Sequence, residues 1–239
     1  MAKTIKAYIL ALIGLLLASY AAILVMQWVR AHPEHFSGRP LELAHPIGWA
    51  TPAKLVALAE DDTACFRIME GAGLSYDRRP VEGEGQCHAS QRMILNASAP
   101  FPALKPARAA PGCAMTAALL LWHRDIVSPE AEALFGQKVV RLENLGSYNC
   151  RNVRGGGSPS QHSRANAMDI SAFILADGSR ISVKDHWADE GLKGAFLHAV
   201  RDGACELFTT SLSPDYNSAH ADHFHFDLAP RAANWRVCR

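Results

Sequence analysis

The chain opens on one long apolar run. From Ala7 to Met26 the sequence AYILALIGLLLASYAAILVM carries no charged residue, and at about 1.5 Å rise per residue such a run covers a hydrocarbon core of about 30 Å. The pattern predicts a transmembrane helix within residues 1–30. Lys3 and Lys6 precede it, which keeps the N-terminus cytoplasmic and sends everything after Arg30 across the membrane. A cleaved secretory signal is the alternative, but a signal core spans only about 7–15 apolar residues and no clean A-x-A site closes this one. Residues 31–50 mix prolines, histidines and small residues without periodicity and read as a juxtamembrane linker.

Regular patterns begin near Thr51, so residues 51–239 are assigned to one domain. Thr51-Pro52 is an N-cap with proline in the first turn, followed by Leu55, Leu58 and Ala59 at helical spacing. A restart is expected at Asp61 or Asp62, and Gly71 and Gly73 end the pattern. Cys113 to Trp122 is apolar throughout and predicts a buried helix, too short for a second span. Ser128-Pro129-Glu130 reads as another helix start, and Gly136 stands where a helix end favours positive φ. Val139–Leu142 is a short strand. Asp169 to Leu175 alternates, and Asp177-Gly178 turns it into Ile181-Ser182-Val183. Leu192 to Val200 has helical period, and His223 to Leu228 is a closing strand. Helices come first and strands gather later, which predicts an α+β domain with a small antiparallel sheet.

Composition removes several classes. In 239 residues, 49% hydrophobic and 20% charged, the 17 Gly and 13 Pro are ordinary for a globular chain and exclude collagen-like or disordered readings. The net charge of +1 gives no global reason to expect nucleic acid or an anionic surface as partner. All six cysteines, Cys65, Cys87, Cys113, Cys150, Cys205 and Cys238, follow the apolar run, and an even count on the exported side predicts disulfides. No C-x-x-C pair occurs, which argues against a thiolate zinc site or a thioredoxin-type pair. Connectivity stays open, except that Cys205 and Cys238 flank the same C-terminal block and are expected to pair.

Two segments carry the candidate chemistry. In His220-Ala221-Asp222-His223-Phe224-His225-Phe226-Asp227, strand alternation puts His223, His225 and Asp227 on one face and Phe224, Phe226 and Leu228 on the other. In Ser160-Gln161-His162-Ser163-Arg164-Ala165-Asn166-Ala167-Met168-Asp169, His162 and Asp169 stand at an odd offset and must straddle a bend to meet, with Ala165 and Ala167 allowing close backbone packing. Two histidines and one carboxylate leave a tetrahedral zinc ion one open position, the catalytic pattern. There is no HExxH, GxSxG, P-loop or GxGxxG. Trp187 reads as packing.

SxHxxAxAxD followed by HxxHxH resembles the D,D-peptidase and murein endopeptidase group of zinc enzymes, whose fold is shared with hedgehog signalling domains. Over about Cys65 to Arg239, the blocks SYNCR, DISAF, LSPDYNSAHADHFHFD and the terminal CR resemble the bacterial extensin-like C-terminal domain family, placed with those peptidases. The resemblance implies zinc held by His162, Asp169 and His225, with His223 as the acid/base and His220 a further active-site histidine. It implies a zinc-held water as nucleophile and peptidoglycan peptides as substrate; with Lys3 and Lys6 ahead of the apolar run, the domain is expected to face the periplasm from the inner membrane. Arg151 and Arg154, in the preceding loop, are candidates for an oxyanion or substrate carboxylate, with a solvated loop as the bland reading. Ser160, Asp222 and Asp227 are candidates for orienting the imidazoles. The family's glycine is Ala165 here, which keeps the same packing only at negative φ. The other reading is a non-catalytic module in which the same zinc is structural, or the surface binds cell wall or protein. His223 separates the two, as general base or as fourth ligand.

Overall fold

The computed structural model describes residues 1–96, 101–153, 156–232 and 235–239. Helix α1, Ala2–Ala31, is long and apolar enough to cross a membrane, and its apolar stretch is buried by nothing in the domain. A membrane anchor and an N-terminal signal sequence share that property.

Residues 31–50 pack onto the domain rather than standing off it. After a 3-10 turn at Pro33–His35, Leu41 enters the core, and the Ala50 N–H donates to the Glu34 carbonyl at 3.2 Å. Lys54 Nζ donates to the Pro33 carbonyl at 2.6 Å, and the Arg124 guanidinium donates to the carbonyls of Leu43 and His45. A segment without sequence period is thus ordered by backbone bonds to side chains far along the chain, which no local pattern encodes.

Helices α2 (Thr51–Leu58) and α3 (Asp62–Gly71) follow. Asp61 starts α3, its carboxylate accepting from the Ala64 N–H at 2.9 Å. Helix α4, Cys113–Trp122, is buried on every side except at Leu120, as an all-apolar helix must be. It does not stop before Ser128. A π turn at His123–Val127 carries the chain directly into α5, Ser128–Phe135. Ser128 therefore caps nothing; its hydroxyl faces His123 Nε2 at 3.3 Å. The widened turn accommodates the N–H that Pro129 lacks. Gly136 closes α5 in the left-handed region at φ 62°. Short helix α6, Val183–His186, and α7, Leu192–Leu207, complete the helical layer.

Strands β1 (Tyr76–Arg79) and β2 (Arg92–Leu95) form a separate antiparallel ribbon. The main sheet holds β3 (Ala103–Lys105), β4 (Val139–Gly146), β5 (Ala167–Leu175), β6 (Arg180–Ser182), β7 (Thr210–Leu212), β8 (Phe224–Asp227) and β9 (Val237–Cys238). Its order is β3-β4-β5-β8-β7-β9, with β6 paired to the C-terminal half of β5. The sheet is seven-stranded and mixed, not small and antiparallel: β3 joins β4, and β9 joins β7, in parallel. Those edge strands are two or three residues long, too short to show a period. One face of the sheet packs on α4 and α7 through Phe173, Phe196, Phe224 and Phe226 around Trp122, whose indole N–H donates to the Val200 carbonyl at 2.9 Å. Trp187 is buried against Phe224 and His198. Disulfides join Cys65 to Cys113, Cys87 to Cys150, and Cys205 to Cys238, the last being the expected pair.

His123 makes the fold acid-sensitive. Burial pushes its imidazole down to about 4 from 6.5, against the hydrogen bond to the Val139 carbonyl, which acts the other way. Above pH 6.5 the ring is neutral in both states; between 6.5 and 4 the unfolded chain takes up a proton that the folded ring refuses. Stability therefore falls as pH falls through that window, by about 3 kcal/mol in all. Denaturant titrations at pH 7 and pH 4.5 should show this loss, and His123→Gln should flatten it; equal slopes for the two proteins would refute the assignment.

Candidate metal centre

The open face of the sheet carries the polar residues of β5 and β8. Asp169 on β5 lies directly opposite His225 on β8, so the two side chains meet as a cross-strand pair. Phe224 and Phe226 are fully buried behind them, which locks the register: a one-residue slip would expose both rings. His162 arrives from a 3-10 turn, Gln161–Arg164, that precedes β5. Ser160 starts this turn, its hydroxyl accepting from the His162 N–H at 3.3 Å.

Ala165 makes the bend, and it does so at φ 56°, not at negative φ. It is the one non-glycine residue with positive φ among the described residues. Its N–H bonds back to the His162 carbonyl at 3.1 Å and its own carbonyl accepts from the Gly112 N–H at 2.9 Å. These contacts hold an alanine where glycine is favoured, at a cost of about 1 kcal/mol. Ala165→Gly is expected to raise stability by up to about 1 kcal/mol while leaving metal affinity unchanged, read as a higher denaturant midpoint. A lowered midpoint would show that the left-handed alanine is unstrained.

Three donor atoms converge. His162 Nε2 lies 3.1 Å from His225 Nδ1 and 3.2 Å from Asp169 Oδ1, and His225 Nδ1 lies 2.9 Å from Asp169 Oδ1. Bonds of about 2.0–2.1 Å in tetrahedral geometry need donor separations of about 3.3 Å, so the triangle suits zinc with a small outward shift. The far nitrogens are committed. His162 Nδ1–H donates to the Ser147 carbonyl at 2.6 Å, and His225 Nε2–H donates to Asp227 Oδ2 at 3.1 Å. In their neutral forms the two rings would then turn the lone pairs of His162 Nε2 and His225 Nδ1 inward, as metal-ligating imidazoles require; when His225 is protonated, its Nδ1–H instead donates to Asp169 Oδ1 at 2.9 Å. Asp227 is buried and also accepts from the Ala229 N–H.

Charge in the centre follows from these contacts. Burial would raise the Asp169 carboxyl, but the hydrogen bonds and charges of His162 and His225 outweigh it and hold the group well below the usual carboxylate range. Burial would likewise lower His225; the hydrogen bonds and charges of Asp169 and Asp227 instead raise it to about 9. The two shifts describe a carboxylate and a histidine that hold each other charged.

His223 stands beside the triangle. Its Nδ1–H donates to Asp222 at 2.7 Å, and its Nε2 lies 3.8 Å from Asp169 Oδ1. Asp222 is exposed. His220 packs tilted against His223, with ring centroids 5.3 Å apart, and its Nδ1–H donates to Asn217 at 2.8 Å. Burial pushes His220 down to about 4, aided by the charges of His223, His225 and Arg151 and opposed by Asp169. Arg151 is exposed, its guanidinium donating to the adjacent Asn152 carbonyl. Arg154 lies outside the described residues. Two supporting groups were not singled out from the sequence. Asn217 was legible as a local cap, since it also accepts from the Ala219 N–H; Ser147 acts through its backbone carbonyl, which carries no sequence signal.

A second cluster, His32, Glu34 and His35, also gathers ligand-type atoms, but its hydrogen bonds argue the other way. His35 Nδ1 accepts from the Trp49 N–H at 3.2 Å, so the neutral ring carries its proton on Nε2, the nitrogen facing Glu34. That cluster is a polar clasp on the linker.

These features define an α+β domain with a centre of two histidines and one carboxylate on an open sheet face, flanked by two further oriented histidines. The chain belongs to the extensin-like protein C-terminus family, whose model matches residues 63–239 and so takes in every residue of the centre. No curated protein and no solved structure matches the chain.

Proposed function

We propose that this protein is a zinc-dependent D,D-peptidase of peptidoglycan, most directly a cross-link endopeptidase, related to the zinc peptidases with the hedgehog-like fold. The observation that carries the reading is the inward convergence of His162 Nε2, His225 Nδ1 and Asp169 Oδ1 with a further imidazole, His223, oriented beside them. Zinc bound there supplies a Lewis acid that polarises a carbonyl oxygen and lowers the pKa of water. His223, its Nδ1–H fixed by Asp222, offers Nε2 to take a proton from the attacking water and to return it to the leaving amine. His220, held neutral with Nδ1–H on Asn217, presents an acceptor nitrogen to a substrate N–H. The exposed Arg151 offers a charge-assisted pair to a substrate carboxylate.

Location follows from chemistry and charge. The disulfides need an oxidising compartment, and Lys3 and Lys6 ahead of the apolar helix favour a cytoplasmic N-terminus with the domain in the periplasm. We read α1 as an uncleaved single-pass anchor.

The test uses the full chain in detergent with its disulfides formed and one equivalent of zinc. It is incubated with purified cross-linked peptidoglycan, with and without chelator, and fragments are read by mass. Chelator-sensitive loss of cross-linked dimers is the expected result. Loss of a single alanine mass would move the assignment to a carboxypeptidase. Full zinc occupancy with no cleavage would overturn the peptidase in favour of a binding module, and no zinc uptake would overturn both.

A further inference from the structure

On the side of the domain that meets the linker, a groove of about 640 Å³ runs between the linker, α3 and the end of α4. Its lining is mainly apolar, from Leu41 and Leu43 of the linker, Ile68 and Leu74 at α3, and Leu120 and Leu121 of α4, with Glu42, His123, Arg124 and Ser128 among its polar residues. The size falls within the range of about 300–1,000 Å³ typical of sites for ligands of this order. None of the proposed catalytic residues lines it.

The groove's position is tied to α1. Its linker wall begins ten residues beyond Ala31, a path of at most about 35 Å even if fully extended. The path is not free to swing. The Lys54 bond to the Pro33 carbonyl and the clasp of Arg124 on the carbonyls of Leu43 and His45 fasten both ends of it to the domain. The aromatic rings continue the helix onto the domain: Trp28 stacks on His35 at 5.8 Å, and His35 packs on Trp49 at 4.9 Å. Trp49 is 84% exposed, the amphipathic residue type that settles at a bilayer interface. Arg67 lines the groove, exposed and making no ion pair or hydrogen bond among the described residues.

We infer that this groove takes an acyl chain of an anionic phospholipid from the bilayer that holds α1. The apolar walls would bury the tail, and Arg67 would pair with the headgroup phosphate. The domain is then held against the membrane surface by a bound lipid as well as by its helix, with the metal centre kept at a fixed height above the bilayer. This inference rests on α1 remaining attached as an anchor.

The full chain, reconstituted in vesicles of phosphatidylcholine and phosphatidylglycerol, is irradiated with a trace of either lipid carrying a diazirine in its tail. Labelled peptides are identified by mass, alongside the intact mass of the protein. Expected is labelling of peptides 41–44, 68–74 and 120–121, stronger from phosphatidylglycerol. Leu120→Glu, at the partly exposed position of α4, should reduce labelling severalfold from both lipids. Arg67→Glu should remove the preference for phosphatidylglycerol, and both variants should keep their zinc content and thermal midpoint. Labels confined to α1 on an intact chain would overturn the lipid site. Cross-linked dimers through the same peptides would replace the lipid with a second copy. A mature mass lacking residues 1–31, with an unlabelled groove, would overturn the anchor reading on which the inference stands.

Discussion

His225→Ala is expected to abolish zinc uptake and hydrolysis together, whereas His223→Ala should keep a full equivalent of zinc and lose about 10²–10⁴-fold in turnover, the usual contribution of a positioned acid/base. The difference follows from geometry. His225 Nδ1 sits within 3.1 Å of both other donor atoms and is one of three converging there among the described residues; removing it leaves a histidine and a carboxylate. His223 Nε2 stands 3.8 Å from the Asp169 oxygen, outside the triangle. Metal content after dialysis, measured by elemental analysis, and release of cross-link fragments give the two readouts. Retained turnover in either variant would sink the assignment, and loss of zinc in His223→Ala would make His223 a fourth ligand and the site a closed, structural one.

The second large effect concerns the bridge between α3 and α4. Cys65 and Cys113 are buried and 48 residues apart in sequence, and closing a loop of that length lowers the entropy of the unfolded chain by the equivalent of about 4 kcal/mol at 25 °C. Replacing both with alanine should therefore cost about 4 kcal/mol, a large fraction of the net stability of an ordinary domain. The measurement is a denaturant midpoint under oxidising conditions, for the double variant against the parent treated in the same way. A shift of under about 1 kcal/mol would mean that packing of α3 on α4 already constrains the unfolded chain.

How far the chain could be read in advance tracks the range of the interactions involved. The strand around His225 was legible because its period is local: alternate residues face alternate sides, and Phe224 and Phe226 declare the buried side. The buried helix α4 and the Asp61 cap were legible for the same reason, each resting on residues within a turn or two of one another. Ser128 misled because its local cap signal was overridden by a π turn that places it under His123. The linker looked formless because the side chains that order it, Lys54 and Arg124, lie up to 81 residues away. The short edge strands β3 and β9 exist only as partners of β4 and β7.

By itself, then, the sequence determined the apolar helix, singled out His162, Asp169 and His225, which the fold brings together, and supplied the apolar back of the strand that presents one of them and the Cys205–Cys238 pair. Only the tertiary structure decided that Asp169 faces His225 across the β5–β8 ladder, that Ala165 turns the chain at positive φ, and that the Ser147 carbonyl sets the tautomer of His162. The physical reason is reach. Side-chain periodicity is written over a few residues, whereas the donor contacts join groups 56 and 63 residues apart, and their register is set by burying Phe224 and Phe226 against a core assembled from the whole domain.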